Sequence, residues 1–228
     1  MEIKLVVFDL AGTTIHDNQD VHRILQSALK KFDVTISLDE ANEVMGIPKP
    51  FAIKYLVNHQ RPGWNASQDW IQEVHAVFVE DMIRFYQNDP TVSEKAGVSD
   101  TFQRLREQGI QIAVNTGFDR AITDALLDRV GWKRNGLIDV SVTSDEVPRG
   151  RPFPDMIFKA MALARVFEPQ LVAKVGDTQS DMEEGTAAGC SFVIGVTSGA
   201  FSRERLLQTP HTHLIDTIPE LMDVLALN

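Results

Sequence analysis

The chain has 228 residues, of which 43% are hydrophobic and 24% charged, with a formal charge of −10 at pH 7, enough for one large core plus an insertion. The negative charge argues against a nucleic-acid or anionic-membrane partner, so an anionic substrate would need positive charge supplied locally by a metal or a few placed side chains. No basic leader with an apolar run and no stretch of about 18 uncharged apolar residues is visible, so a cytoplasmic protein is expected, and Cys190, the only cysteine, precludes an internal disulfide and reads as a small buried hydrophobe.

In chain order, Ile3 to Asp9 (IKLVVFD) is a short β-branched apolar run that ends on an aspartate and reads as a buried strand. Residues 16–95 show no such strand and at least three helical segments. One of these has Ser67 placed to cap a helix whose stripe Ile71, Val74, Phe78, Met82, Phe85 reads as a packing face. In the same stretch, residues 45 to 50 (MGIPKP) carry one cation, Lys49, between two prolines. Each proline disfavours helix in the residue before it, so the segment reads as a stiff turn.

Further strands are predicted at Ile110–Asn115, Ile138–Val142, Leu171–Asp177 and Phe192–Val196, with helices at Asp119–Val130 and Pro154–Arg165. This alternation implies an α/β fold: a Rossmann-like parallel sheet covered on both faces, with functional residues gathered beyond the C-terminal strand ends. Residues 1–15 and 96–228 would form that core domain, and 16–95 a helical insertion closing over it.

Four features fall at or just beyond predicted strand ends: Asp9 with Gly12-Thr13, Thr116-Gly117, Arg151, and the pair Asp177 and Asp181 in Gly176-Asp-Thr-Gln-Ser-Asp. Three carboxylates converging in one cleft repel one another unless a hard cation neutralises them, which points to Mg2+ with oxygen ligands. Thr116, Arg151 and the backbone amides near Gly12 are then placed to hold the oxygens of a phosphoryl group, and a carboxylate on the first strand can attack phosphorus to form an acyl phosphate. Metal-assisted phosphoryl transfer is the chemistry this set describes.

With these residues the sequence resembles the haloacid dehalogenase-like hydrolases, whose four motifs match Asp9-Leu-Ala-Gly-Thr, Thr116, Arg151 and Gly176-Asp-Thr-Gln-Ser-Asp over most of the chain. The resemblance implies Asp9 as nucleophile, Asp177 as a magnesium ligand, Asp181 as a ligand or the partner of one, the Ala11 carbonyl as a further ligand, and residues 16–95 as a helical cap. Arg151 stands where most of that superfamily has a lysine. A larger departure is Ala11, because most phosphatases of the superfamily carry there the aspartate that protonates the leaving alkoxide, and a methyl group cannot.

Alanine followed by Gly-Thr at this place is similar to the phosphonatases (phosphonoacetaldehyde hydrolases), as are Val147-Pro-Arg-Gly-Arg-Pro-Phe-Pro and Lys174-Val-Gly-Asp-Thr-Gln-Ser-Asp-Met-Glu-Glu-Gly. Those enzymes cleave a carbon–phosphorus bond and need an electron sink beside the carbon. Resemblance places a Schiff-base lysine in a Met-Gly-x-x-Lys segment of the cap, here Met45-Gly-Ile-Pro-Lys49, and condensation with an aldehyde leaves no alkoxide to protonate. Such a lysine needs burial or a cationic neighbour to be unprotonated at neutral pH.

The family's histidine three residues after the lysine is Ala52 here, and its tyrosine after Thr-Gly is Phe118. None of the six histidines forms a metal-binding motif; they read as surface or helix residues. The leading expectation is thus cleavage of a small 2-oxophosphonate, with phosphate-ester hydrolysis as the alternative and a non-catalytic magnesium and phosphate-ester binding module as a third. Resemblance also carries over a homodimer joined through the caps.

Overall fold

The computed structural model describes residues 2–227, and its centre is a six-stranded, wholly parallel sheet. The strands are β1 (Leu5–Phe8), β2 (Gln111–Thr116), β3 (Val140–Thr143), β4 (Val172–Gly176), β5 (Phe192–Val196) and β6 (His213–Ile215), in spatial order β3-β2-β1-β4-β5-β6. The expected α/β class is what the chain adopts. β6 escapes the sequence reading because it is three residues long, with only Ile215 buried.

Helices cover both faces of the sheet, which is why its strands are apolar without a polar side. Along β1, Val6 and Phe8 join one core, where the Phe8 ring lies 4.8 Å from Phe102 of α5 (Val98–Glu107). Leu5 and Val7 join the opposite core with Met156, Ile157 and Ala160 of α7 (Asp155–Ala164). Cys190 is half-buried beside that second core rather than enclosed, and burial pushes its thiol up to about 12, so it behaves as an unreactive filler.

Between β1 and α5 the chain forms α1 (Asp20–Lys30), α2 (Leu38–Asn42), α3 (Lys49–Gln60) and α4 (Gln68–Asn88), a helical layer above the strand ends that we call the cap. The Ser67 hydroxyl accepts from the Trp70 amide and starts α4. The buried stripe of α4 runs Ile71, Val74, Phe78, Met82, Tyr86. Its last member differs from the expected Phe85, which is half-buried, because Tyr86 is the residue that meets the Phe118 ring, 6.1 Å away.

The segment MGIPKP is not simply a turn: Lys49 is the first residue of α3, with Pro48 at its N-cap and Pro50 in its first turn. Prolines are tolerated there because first-turn N–H groups have no intrahelical partner. Three glycines seat this segment on the core. Gly46 (φ 81) lies against Thr178 and Ser180, Gly150 against Pro48, and a Cβ at Gly117 would stand 2.8 Å from the Gly46 carbonyl oxygen. The chain enters and leaves the cap by two adjacent crossings, tied by hydrogen bonds from His16 N to Ser93 O (3.0 Å) and from Lys95 N to Thr14 O (2.9 Å).

Substituting Gly46→Ala forces a left-handed conformation on an L-residue, costing roughly 1–2 kcal/mol, and drives a methyl into Thr178 and Ser180. The expected outcome is faster hydrogen exchange over residues 44–52 and a lower urea midpoint, with amides of β1 and β4 unchanged relative to global unfolding.

Candidate active site

β1 and β4 are neighbours at the centre of the sheet, registered Phe8 to Val175, so Asp9 and Asp177 leave it side by side where the strand order reverses. α8 (Gln179–Ala188) starts immediately after β4 with Thr178 as its N-cap. Asp181 closes a capping box with that residue, its Oδ2 accepting from Thr178 N (3.2 Å) and Oγ1 (2.6 Å), which leaves Oδ1 facing inward. Gly176 is required by this geometry, since any Cβ there would overlap the Asp181 side chain. One oxygen from each of Asp9, Asp177 and Asp181 lies within 4.8 Å of the others, and all three residues are buried.

Arg151 and Lys174, both side chains wholly buried, hold this cluster from behind. Arg151 Nη1 donates to Asp9 Oδ1 (2.7 Å), its Nε to Glu184 Oε2 (2.9 Å), and its Nη2 to the Asn115 carbonyl (2.8 Å) and Oδ1 (2.7 Å). Lys174 Nζ donates to Asn115 Oδ1 (2.7 Å) and lies 2.9 Å from Asp181 Oδ1. Burial alone would lower the Arg151 pKa, but Asp181, Asp9 and Glu184 raise it instead. Burial would raise that of Asp181, and Arg151 and Lys174 bring it below the usual carboxylate range.

The donor set fits a hard divalent cation. Asp181 Oδ1 faces inward 2.9 Å from both Arg151 Nη1 and Lys174 Nζ, held by charge rather than by a well-angled hydrogen bond. The carboxylates of Asp9, Asp177, Asp181 and Glu184 also outnumber the two cations by two charges. The excess shows in protonation: burial and the charges of Asp9 and Asp181 push Asp177 up to about 7, although it accepts from Thr13 Oγ1 (2.6 Å) and Ala200 N (2.7 Å). Burial likewise raises Asp9 despite Arg151.

A cavity of about 30 Å³ lies over these carboxylates, walled by Asp9, Ala11, Thr116, Gly117 and Asp177 from the core and by Lys49 from the cap. It has room for a water or an ion but not for an organic substrate, so the cap is seated closed. Three predicted substrate-binding residues are placed differently from expectation. The Gly12 amide donates to Ile15 O (2.9 Å), and the Thr13 amide to Leu10 O (3.2 Å) while its hydroxyl holds Asp177, so neither amide is available to a phosphoryl group. Arg151 is spent on Asp9, Glu184 and Asn115 and does not line this cavity among the described residues.

Lys49 is 3% exposed, its Nζ 5.6 Å from the Phe118 ring centroid and 5.9 Å from that of Phe78, with one long contact to Ile47 O (3.4 Å). Burial pushes it down to about 8 against the opposing pull of Asp9 and Asp17. Relative to a solvated lysine, this raises its unprotonated share at neutral pH by roughly 300-fold. Ala52 is completely buried on the same helix and Phe118 packs with Phe78 and Tyr86, so both departures from the family pattern are filled with apolar groups.

Sequence reasoning missed Asn115, Glu184 and Lys174 as an internal charge network, and Asp17 as a cavity wall. Lys174 and Glu184 do stand inside a recognised motif, whereas Asp17 has no motif to announce it. His22, read as a surface or helix histidine, is on a helix but 2% exposed.

The family model for haloacid dehalogenase-like hydrolases matches residues 6–195. This chain is a haloacid dehalogenase-like hydrolase. Among its relatives, the phosphonoacetaldehyde hydrolase of Bacillus cereus is 34% identical over 212 residues, covering 88% of this chain and 78% of the relative. The structure of a phosphonoacetaldehyde hydrolase-like protein from Oleispira antarctica superposes with a TM-score of 0.88 at 24% identity, covering 99% of this chain and 92% of the other. A candidate phosphoglycolate phosphatase from Lactobacillus plantarum gives 0.81 at 15% identity over 98% of this chain and 100% of that one. At such identities the two structural likenesses speak to the fold, while the Bacillus relative places the hydrolase in the phosphonatase-like group.

In this hydrolase, Arg151→Ala deprives Asp9 of its ion pair and leaves Glu184 with only Asn115 and Lys174 as partners among the described residues. A loss of about 3–5 kcal/mol in unfolding free energy is expected, measured by urea denaturation. Arg151→Lys should recover only part of it, because one ammonium cannot reach Asp9, Glu184 and Asn115 together.

Proposed function

We propose that this hydrolase cleaves the carbon–phosphorus bond of a small 2-oxophosphonate, phosphonoacetaldehyde or a relative, through an imine on Lys49 and a phosphoryl group carried by Asp9. The observation that carries the proposal is that the buried Lys49 amine, lowered to about 8, shares one cavity with Asp9 and with a methyl group, Ala11, at the place of the usual acid.

The chemistry divides between cap and core. The neutral Lys49 amine attacks the substrate carbonyl carbon, and loss of water leaves an iminium adjacent to the carbon that bears phosphorus. Asp9 attacks the phosphorus in line. Its Oδ1 is fixed by Arg151, and Oδ2 makes no hydrogen bond inside the protein among the described residues, so Oδ2 is the attacking atom. As the carbon–phosphorus bond breaks, its electron pair passes through carbon to the iminium nitrogen and leaves a neutral enamine, so no oxygen needs the proton that Ala11 cannot supply. Water then hydrolyses the acyl phosphate, and protonation and hydrolysis of the enamine free the lysine.

Asp9, Asp177 and the Ala11 carbonyl, with Asp181 beside them, would hold Mg2+, which when bound neutralises the transferring phosphoryl group. The exposed Phe51 and Tyr55 of α3 support the expected homodimer. Phosphate-ester hydrolysis remains the competing reading, favoured by the apolar Ala52 and Phe118 where phosphonatases have histidine and tyrosine.

Borohydride added with phosphonoacetaldehyde should fix a stable adduct on Lys49, found by peptide mass spectrometry. Its rate should rise with pH up to about 8 as the amine deprotonates. Turnover of phosphate esters with no adduct would favour the competing reading, for which Lys49→Ala leaves ester hydrolysis intact and Ala11→Asp raises it. Magnesium should raise the melting temperature more at pH 8 than at pH 6, since Asp177, at about 7 without metal, must lose its proton to ligate.

A further inference from the structure

The cavity over Asp9 is walled by four ionisable side chains: Asp9, Asp177, Lys49 and Asp17. The first three have places in the chemistry above, and Asp17 has none. Yet imine formation and imine hydrolysis each require a proton donor and acceptor next to the carbonyl oxygen, and both positions where one would be sought, Ala11 and Ala52, bear methyl groups.

Asp17 is held on one oxygen only. Its Oδ1 accepts from the amides of Asp20 (2.7 Å) and Val21 (3.2 Å) at the start of α1, the chain turning back through Gln19 at φ 64. Its Oδ2 lies 3.8 Å from Nδ1 of His22, a nearly closed side-chain pair with 9% and 3% exposure. His22 Nε2 in turn lies 2.9 Å from the Asn42 side-chain amide, and its Nδ1 is buried with no hydrogen-bond partner.

Either orientation of the Asn42 amide leads to the same conclusion. If the amide oxygen faces His22, Nε2 carries the proton, and a neutral ring would then point a lone pair at a carboxylate, two buried acceptors that require one more proton between them. If the amide nitrogen faces His22, Nε2 is the acceptor and Nδ1 itself carries the proton toward Asp17. In both cases Nδ1 and Oδ2 face each other with one exchangeable proton to place on one or the other, and at 3.8 Å no hydrogen bond locks it there.

We propose that Asp17, backed by His22, is the proton-transfer group of the imine half-reaction, a catalytic residue from the cap with His22 as its positioning partner. The inference rests on the Lys49 reading above. After the amine adds to the carbonyl carbon, the Asp17 proton passes to the carbinolamine hydroxyl, the carbon–oxygen bond breaks, water leaves and the iminium remains. In the return direction, water adds to the iminium carbon and gives a proton to Asp17, which passes it to the nitrogen; as the carbon–nitrogen bond breaks, the hydroxyl proton goes back to Asp17, leaving the neutral Lys49 amine and the carbonyl product. The other titratable groups facing Asp17 are Asp20 of α1, Lys49 of α3, Tyr86 of α4 and Lys95 of the return crossing.

The test compares the rate of borohydride trapping with phosphonoacetaldehyde in the wild-type protein, Asp17→Asn and His22→Gln. Asparagine keeps an oxygen for the α1 amides, and glutamine keeps a polar group near Asn42, so thermal melting can verify each fold. Asp17→Asn should form the Lys49 adduct about 100-fold more slowly, within the range for a lost general acid. It should also lose the fall in rate at high pH that the wild type shows as Asp17, whose proton affinity burial raises, gives up its proton. His22→Gln should slow trapping less and change the same limb of the profile. Trapping by Asp17→Asn at the wild-type rate with an unchanged pH profile overturns the inference and leaves the Lys49 reading standing, and if that variant fails to fold, an unchanged rate and profile in His22→Gln does the same. Absence of any adduct in the wild type instead overturns the Lys49 reading itself, and this inference with it.

Discussion

The structure turns on a buried charge imbalance. Asp9, Asp177, Asp181 and Glu184 are enclosed at the end of a parallel sheet, with Arg151 and Lys174 the cations that pair with them among the described residues. Bringing carboxylates together away from water is tolerated only where each finds a cation or a donor. That requirement explains the wholly buried guanidinium, the Asn115 side chain that accepts from both Arg151 and Lys174, and the Thr178 capping box that occupies one oxygen of Asp181. The two charges left over match one divalent cation.

Under the proposed function, this arrangement gives the core the handling of phosphorus and leaves the carbon side to the cap. Lys49 and Asp17 both come from cap helices or their approaches, whereas the carboxylates clustered below them come from the ends of β1 and β4 and from α8. The apolar rings of Phe78 and Phe118 beside Lys49 keep water from its amine, the condition that lowers its proton affinity. Under the proposed function, two chemistries with opposite needs, a charged phosphoryl site and a neutral amine, are kept on separate layers of one fold.

The fold and the identities of the strand-end residues were legible because both rest on local signals: apolar runs for β1, β2, β4 and β5, and motif spacing for Asp9, Thr116, Asp177 and Asp181. What was not legible depends on contacts between distant residues. Arg151, Gly12 and Thr13 occur where expected, but nothing local says that Arg151 turns to Asp9 and Asp181 or that Thr13 bonds Asp177, 164 positions away. The start of α3 was misread because a proline before or after a residue was weighed as a helix breaker without considering that it could lie in the first turn. His22 and Asp17 are five residues apart with no motif, and only the packing of α1 beside α2 shows them as a pair.

The two paired crossings into and out of the cap do more than tether it. The Lys95 ammonium, on the return crossing, donates to the carbonyl oxygen of Gly12 and to Ser198 O at 3.0 Å. Gly12 belongs to the loop that follows Asp9, and Ser198 adjoins the glycine packed on Asp177. The return crossing is therefore fastened to the loop after Asp9 and to the support of a neighbouring carboxylate. Under the proposed function, a swing of the helical layer would pull on the same few backbone atoms that set the aim of Asp9, so substrate entry and the alignment of the attacking oxygen would be mechanically one event.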